Sequence, residues 1–155
     1  MCISDTDIHT DWPGLGIEPE SMPTFLHAPT AGSWPLAHEP EAVGIARRLA
    51  RSALGGWRVE REMSDSVIHV VSELVTNAIG HANPPVLLHL HRDAARRVWV
   101  AVTDGGQTTT QGEPASSCEA EERGRGMGIV KTLAAANGTC NHPGGRATHW
   151  ARIPT

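Results

Sequence analysis

Residues 72–81 read Ser-Glu-Leu-Val-Thr-Asn-Ala-Ile-Gly-His, which sets the Glu73 carboxylate and the Asn77 carboxamide four residues apart inside an apolar helical pattern. At that spacing the two side chains share one helix face. Val67, Ile68, Val70, Val71, Leu74, Val75, Ala78 and Ile79 surround them, too many apolar residues for a helix standing alone in water. A carboxylate on a packed helix needs a partner, because burying it unpaired is costly. Mg2+ suits that need: it takes oxygen ligands, often one or two from protein and the rest from water and phosphates. The same residues also fit a plainer account, with Glu73 in a surface salt bridge and Asn77 capping a neighbour.

Two further segments bear on the choice. An apolar strand pattern over 98–102 runs into Thr103-Asp104-Gly105-Gly106, and later Arg123-Gly124-Arg125-Gly126-Met127-Gly128 feeds a helical run. Glycines at alternating positions let backbone approach a ligand closely, and the N–H groups of a helix start favour anions. Each element is weak alone. The ordered set of a Glu-x-x-x-Asn helix, a strand ending in Asp-Gly-Gly and a Gly-x-Gly-x-Gly turn before a helix is much stronger.

With those residues in that order, the chain resembles the ATP-binding superfamily shared by gyrase, Hsp90, histidine kinases and MutL (GHKL). Within it, the chain is most similar to the small stand-alone anti-sigma-factor serine kinases of Gram-positive bacteria, over residues 33–153. The resemblance implies an α+β fold of the Bergerat type, a two-layer sandwich whose mixed, mainly antiparallel sheet is covered on one face by helices. The family's N-box falls on Glu73, Asn77 and His81, and its adenine-binding Asp-x-Gly motif on Asp104 and Gly106. Its phosphate segment falls on Gly124, Gly126, Met127 and Gly128, with Arg125 beside the phosphates or exposed on the lid. Its late strand threonine falls on Thr148. Two departures are visible: Thr108 stands where a second glycine is often found, and Gly80 lies inside the helix.

What the resemblance implies about chemistry follows from these positions. ATP would lie between helices and a lid, with Mg2+ bridging Asn77 and the phosphates and Asp104 accepting from the adenine amino group. Glu73 would be the general base of in-line phosphoryl transfer. The expected role is an anti-sigma factor with serine/threonine-protein kinase activity toward an anti-sigma-factor antagonist, its partners being a sigma factor and that antagonist. A non-catalytic module that binds partners under ATP control is the alternative, and Glu73 favours the kinase over it. A detached histidine-kinase-type ATPase domain is the weaker alternative: the expected first helix holds no acceptor histidine, and His38 lies just before it.

Composition narrows the field. A chain of 155 residues fits one domain with a sizeable core. A net charge of −4, with no basic stripe interleaved with aromatics, argues against direct nucleic-acid binding. No apolar run approaches the roughly 20 residues of a membrane span, and residues 1–21 lack a signal-peptide pattern, so a soluble cytoplasmic protein is expected. Cys2, Cys118 and Cys140 are odd in number and widely spaced, which fits neither a disulfide framework nor a zinc site. Nine histidines are scattered; His89 and His91 share a strand face, where a half-exposed alternating strand explains them.

Along the chain, residues 1–32 have the proline, glycine and small-residue content of a flexible tail, and 33–155 form the ATP-binding unit. Residues 33–36 read as an edge strand because Pro35 bars a central position. The spacing of Val43, Ala46, Leu49, Ala50 and Ala53 predicts a helix over 39–54, ended by Gly55-Gly56; its face could equally meet the core or a second copy in a homodimer. A second helix is expected over 59–82, stopped by Asn83-Pro84-Pro85. Strands are expected over 86–91 and 97–103, a polar lid over 105–123, a third helix over 127–137 stopped by Gly138, and an antiparallel pair over 139–142 and 147–153.

Overall fold

The computed structural model describes residues 31–107 and 128–154. Most of the expected tail, the lid beyond residue 107, and Gly124, Arg125, Gly126 and Met127 lie outside the described residues. Strand β1 spans Ala31–Leu36, two residues into the stretch expected to be tail. Helices α1 (Ala42–Gly56) and α2 (Arg61–His81) follow, then β2 (Val86–Arg92) and β3 (Val98–Asp104). After a helical segment at 128–133 come β4 (Ala136–Asn141) and β5 (Ala147–Ile153). The strands form one five-stranded sheet in the order β1-β2-β3-β5-β4, every described pair antiparallel. The fold is α+β, a sheet packed against helices, as in the Bergerat ATP-binding fold.

Period-2 alternation builds the sheet's inner face: Leu88 and Leu90 of β2, Val98, Val100 and Val102 of β3, and Ala151 and Ile153 of β5 are buried in one core. Helix α2 lays Val67, Val70, Val71, Leu74, Val75 and Ala78 on it. Helix α1 meets the same core through Ala42, Ala46, Ala50 and Leu54, a four-residue repeat whose small side chains let two helices approach closely. That stripe therefore faces the core; on the outer side Ile45 is exposed. Helix α1 starts three residues later than the spacing predicts. Residues 37–43 first make short turns, Ala42 N–H donating to the Glu39 carbonyl at 3.0 Å. Pro40 precedes the helix instead of standing in its first turn.

The third helix is shorter than its composition suggests. Ala134, Ala135 and Ala136 have the best helix propensity, yet helical residues end at 133 and Ala136 already pairs with Arg152 in the sheet. Gly138 is a strand residue, not a helix stop. A Cβ there would sit 2.9 Å from the Trp150 ring, so the glycine makes room for the indole. Pairing with β5 outweighs local propensity.

The sheet face away from the helices is only partly solvated. Trp99 and Ala101 of β3 are buried there, and Trp99 stacks obliquely on Trp150 with centroids 5.7 Å apart. The Arg152 guanidinium lies 5.5 Å above the Trp99 ring. His91, expected to be half-exposed, is buried on this face. Asp93 receives hydrogen bonds from Trp99 Nε1 (3.0 Å) and Arg97 Nε (2.7 Å). Burial pushes its carboxyl up, and these donors more than offset that, holding it below its ordinary value. No described helix is long and apolar enough to cross a membrane.

Gly80 is exposed near the end of α2, and an added Cβ would meet nothing within 4 Å. Gly80→Ala is expected to stabilise the nucleotide-free protein by about 0.5–1 kcal/mol, through the backbone entropy that alanine forgoes in the unfolded chain. Urea denaturation measures it; an unchanged or lower midpoint would contradict this.

Candidate functional site

Helix α2 carries Glu73, Asn77 and His81 along one flank of its buried face, each half-buried, while Leu74 and Ala78 beside them go fully into the core. The placement follows from spacing: four-residue steps of 100° per residue drift only 40° per pair. Among the described residues, no hydrogen bond or ion pair engages the Glu73 carboxylate or the Asn77 carboxamide. Their oxygens remain available for a ligand.

What brings this flank to the strand motif is a short backbone ladder. Asn83 N–H donates to the Gly106 carbonyl (2.8 Å), Gly105 N–H donates to the Asn83 carbonyl (2.7 Å), and Ala82 bridges to Gln107. The ladder ties the C-terminal end of α2, one residue past His81, to the end of β3 at Asp104. His38 Nε2 donates to the Ala82 carbonyl at 2.7 Å, satisfying one of the carbonyls a helix end leaves open. Gly106 is at φ +92 and so close to the Gly145 carbonyl that a side chain would strike it. Only glycine meets both conditions.

Asp104 is almost completely buried at this corner. Its Oδ1 accepts from Gly106 N–H at 2.8 Å, and its Oδ2 lies 3.3 Å from His149 Nε2. His149 Nδ1 in turn lies 2.9 Å from Thr139 Oγ1. Sequence reasoning missed His149. The signal was present: Ile153 and Ala151 point into the core, and stepping back by two gives His149 on that same face.

Thr148 is not brought to Asp104. The register pairs Asp104 with Ala147 and Thr103 with Thr148, so Thr148 points to the opposite sheet face. There it joins a polar row across four strands. Ser33 Oγ lies 2.6 Å from His89 Nδ1, and His89 Nε2 lies 3.2 Å from Thr103 Oγ1. Thr103 Oγ1 lies 2.8 Å from Thr148 Oγ1, and Thr148 Oγ1 lies 2.7 Å from His142 Nε2. Of the phosphate segment, Gly128 is described, in the helical run whose Val130 enters the core; the Thr132 hydroxyl donates to the Gly128 carbonyl at 2.8 Å.

Burial, and secondarily the Arg146 guanidinium, lowers the pKa of His89 from 6.5 to about 4. The sign for stability follows. Between these values the unfolded chain binds a proton that the folded ring refuses, so stability is full above pH 6.5 and falls as pH drops toward 4. The loss is expected to reach at most about 3 kcal/mol. Denaturant melts from pH 7 to 4.5 should show this slope in wild type and a shallower one in His89→Asn. Equal slopes would exclude His89 as its source.

The histidine kinase-like ATPase domain model matches residues 36–148, and the chain belongs to that family, which implies ATP as its ligand. Among solved structures, the chain is similar to the RsbU and RsbW domains of Rv1364c from Mycobacterium tuberculosis. The TM-score is 0.62 at 17% identity over 79% of this chain and 32% of that one. The chain thus spans about a third of the length of that solved chain. It is also similar to one chain in the structure of the SiaB–SiaC complex from Pseudomonas aeruginosa, with a TM-score of 0.57 at 14% identity over 88% of this chain and 98% of that one. No curated protein matches the chain in sequence.

Proposed function

We propose that this protein is an ATP-binding regulatory protein of the anti-sigma-factor type, with serine/threonine kinase activity toward an antagonist protein. The observation that carries the reading is that Glu73 and Asn77, on one flank of α2, make no hydrogen bond or ion pair to a described residue, while the end of that helix is tied to the end of β3 at the buried Asp104. The ladder at 82–83 and 105–107 holds the two halves together. Asp104 accepts from the adenine 6-amino group. The Asn77 carboxamide and the nucleotide phosphates would hold Mg2+, which when bound offsets phosphate charge; half-buried oxygens with no partner among the described residues fit such a hard cation. Glu73 takes the proton of the attacking hydroxyl as the phosphoryl group transfers in line. The phosphate segment at Gly124–Gly128, with Arg125, supplies donors to the transferring charge.

The likeness to part of a solved chain holding domains named RsbU and RsbW, and to one chain of a complex of SiaB and SiaC, supports a partner-binding role. Sigma factor and antagonist are the proposed partners. The test is co-purification from the source cell, then incubation of each partner with the protein and γ-labelled ATP. Label on a serine or threonine of one partner is expected. Tight ATP and partner binding with no transfer to any of them would favour the non-catalytic, ATP-switched module instead.

A further inference from the structure

We infer that the outer face of the sheet, turned away from α1 and α2, is the docking surface for the chain's own residues 1–30. Acidic side chains of that segment meet arginine there, and its large apolar side chains meet tryptophan. The surface lies on the other side of the sheet from the core-facing Asp104 and from α2, so the inference does not depend on the ATP reading.

The register lays this face out in rows. Ala31, His91, Trp99 and Arg152 are successive cross-strand partners from β1 to β5, and the next row holds His89, Ala101 and Trp150. The Trp99 and Trp150 rings lie 5.7 Å apart, with the Arg152 guanidinium over Trp99. Arg146 is exposed, and its charge acts on His89 second to burial. Within the five strands the one acidic residue is Asp104, on the core side with Val98, Val100 and Val102. Asp93, which reaches Trp99 from beyond the end of β2, already accepts from that indole and from Arg97. The face is therefore aromatic and cationic. Helices α1 and α2 and the 128–133 segment all enter the core on the opposite side of the sheet.

Residues 1–30 carry the complement. They hold Asp5, Asp7, Asp11, Glu18 and Glu20 and no lysine or arginine: five of the chain's 17 acids, which leaves 12 acids against all 13 bases in residues 31–155. Carboxylates pair well with guanidinium groups, and Trp12, Phe25 and Leu26 bring large apolar side chains to the indoles. The point of attachment sets the reach. Residue 30 leads into Ala31, at the end of the sheet where His91, Trp99 and Arg152 stand in line. Five strands about 4.8 Å apart make a face about 20 Å across. A chain extends by about 3.3 Å per residue, so Leu26 and Phe25, five and six residues before Ala31, reach across most of it. Tethering also makes the docking intramolecular, which raises the effective concentration of the segment. A second copy is the poorer occupant, because a two-fold contact would set the same arginines against each other.

The test puts the photo-crosslinker p-benzoylphenylalanine in place of Phe25 in the full chain, which keeps an aromatic ring at that position. The dilute protein is irradiated at low ionic strength and the products are mapped by mass spectrometry. Links within one chain to His91, Trp99, Trp150 or Arg152 are expected. Glu18→Lys combined with Glu20→Lys should lower their yield by at least about threefold, since it sets lysines where the arginines attract carboxylates. These changes touch no strand, helix or core side chain described above, so a lower yield reports docking and not loss of fold. An unchanged yield in the charge-reversed chain overturns the inference, as does a map confined to α1 and α2 or one with no links at all. Links found only between two chains also overturn it, and give the face to exchange between copies.

Discussion

Glu73→Gln is expected to lower phosphoryl transfer to the antagonist by 10²–10⁴-fold while leaving ATP affinity nearly unchanged. A positioned general base contributes about that factor to rate. Glutamine keeps the shape and a carbonyl oxygen on the same α2 flank but cannot take the proton. Because Glu73 makes no hydrogen bond or ion pair to a described residue, its replacement strands no internal partner. Single-turnover transfer, measured beside calorimetric ATP binding, separates the two effects. Partner binding should survive, since it depends on surface and nucleotide, not on the base. Transfer at the wild-type rate would remove Glu73 from the base role.

Asp104→Ala is expected to weaken ATP binding by about 10–100-fold, the worth of one charge-assisted hydrogen bond in a buried site. Asn77→Ala should lose binding to a similar extent in the presence of Mg2+, and much less in its absence. The two variants thus fail differently: one loses the base contact, the other the cation-dependent part. Asp104→Ala also takes away the acceptor of the Gly106 N–H and the neighbour of His149, so part of its effect is local loosening of the 105–107 ladder. Asp104→Asn separates the contributions: it should keep the Gly106 bond and still bind ATP poorly. Wild-type affinity in both Asp104→Ala and Asn77→Ala would sink the site assignment.

Much of this was open to reading without coordinates. The strands expected over 86–91 and 97–103 lie within a residue of β2 and β3, and Asn83-Pro84-Pro85 ended α2 because neither proline can continue a helix. The four-residue spacing put Glu73, Asn77 and His81 on one flank. The helix expected over 127–137 failed at its end, because the alanine run favours helix locally while Arg152 of β5 captures the strand. His91 failed as a half-exposed residue, since periodicity tells which face a side chain takes but not how deeply that position is buried.

The sequence by itself determined the elements and the stripes on them, because helix and strand periodicities act over a few residues and every side chain on a stripe is a near neighbour in the chain. Tertiary structure alone decided which stripes meet. The ladder from Ala82 and Asn83 to residues 105–107 joins segments more than twenty residues apart, and nothing local to either encodes it. The register of β5 against β3 is the sharpest case. With a side-chain period of two, a one-residue difference in pairing exchanges the faces, and the observed pairing of Asp104 with Ala147 gives Asp104 the imidazole of His149 and sends Thr148 to the other side of the sheet.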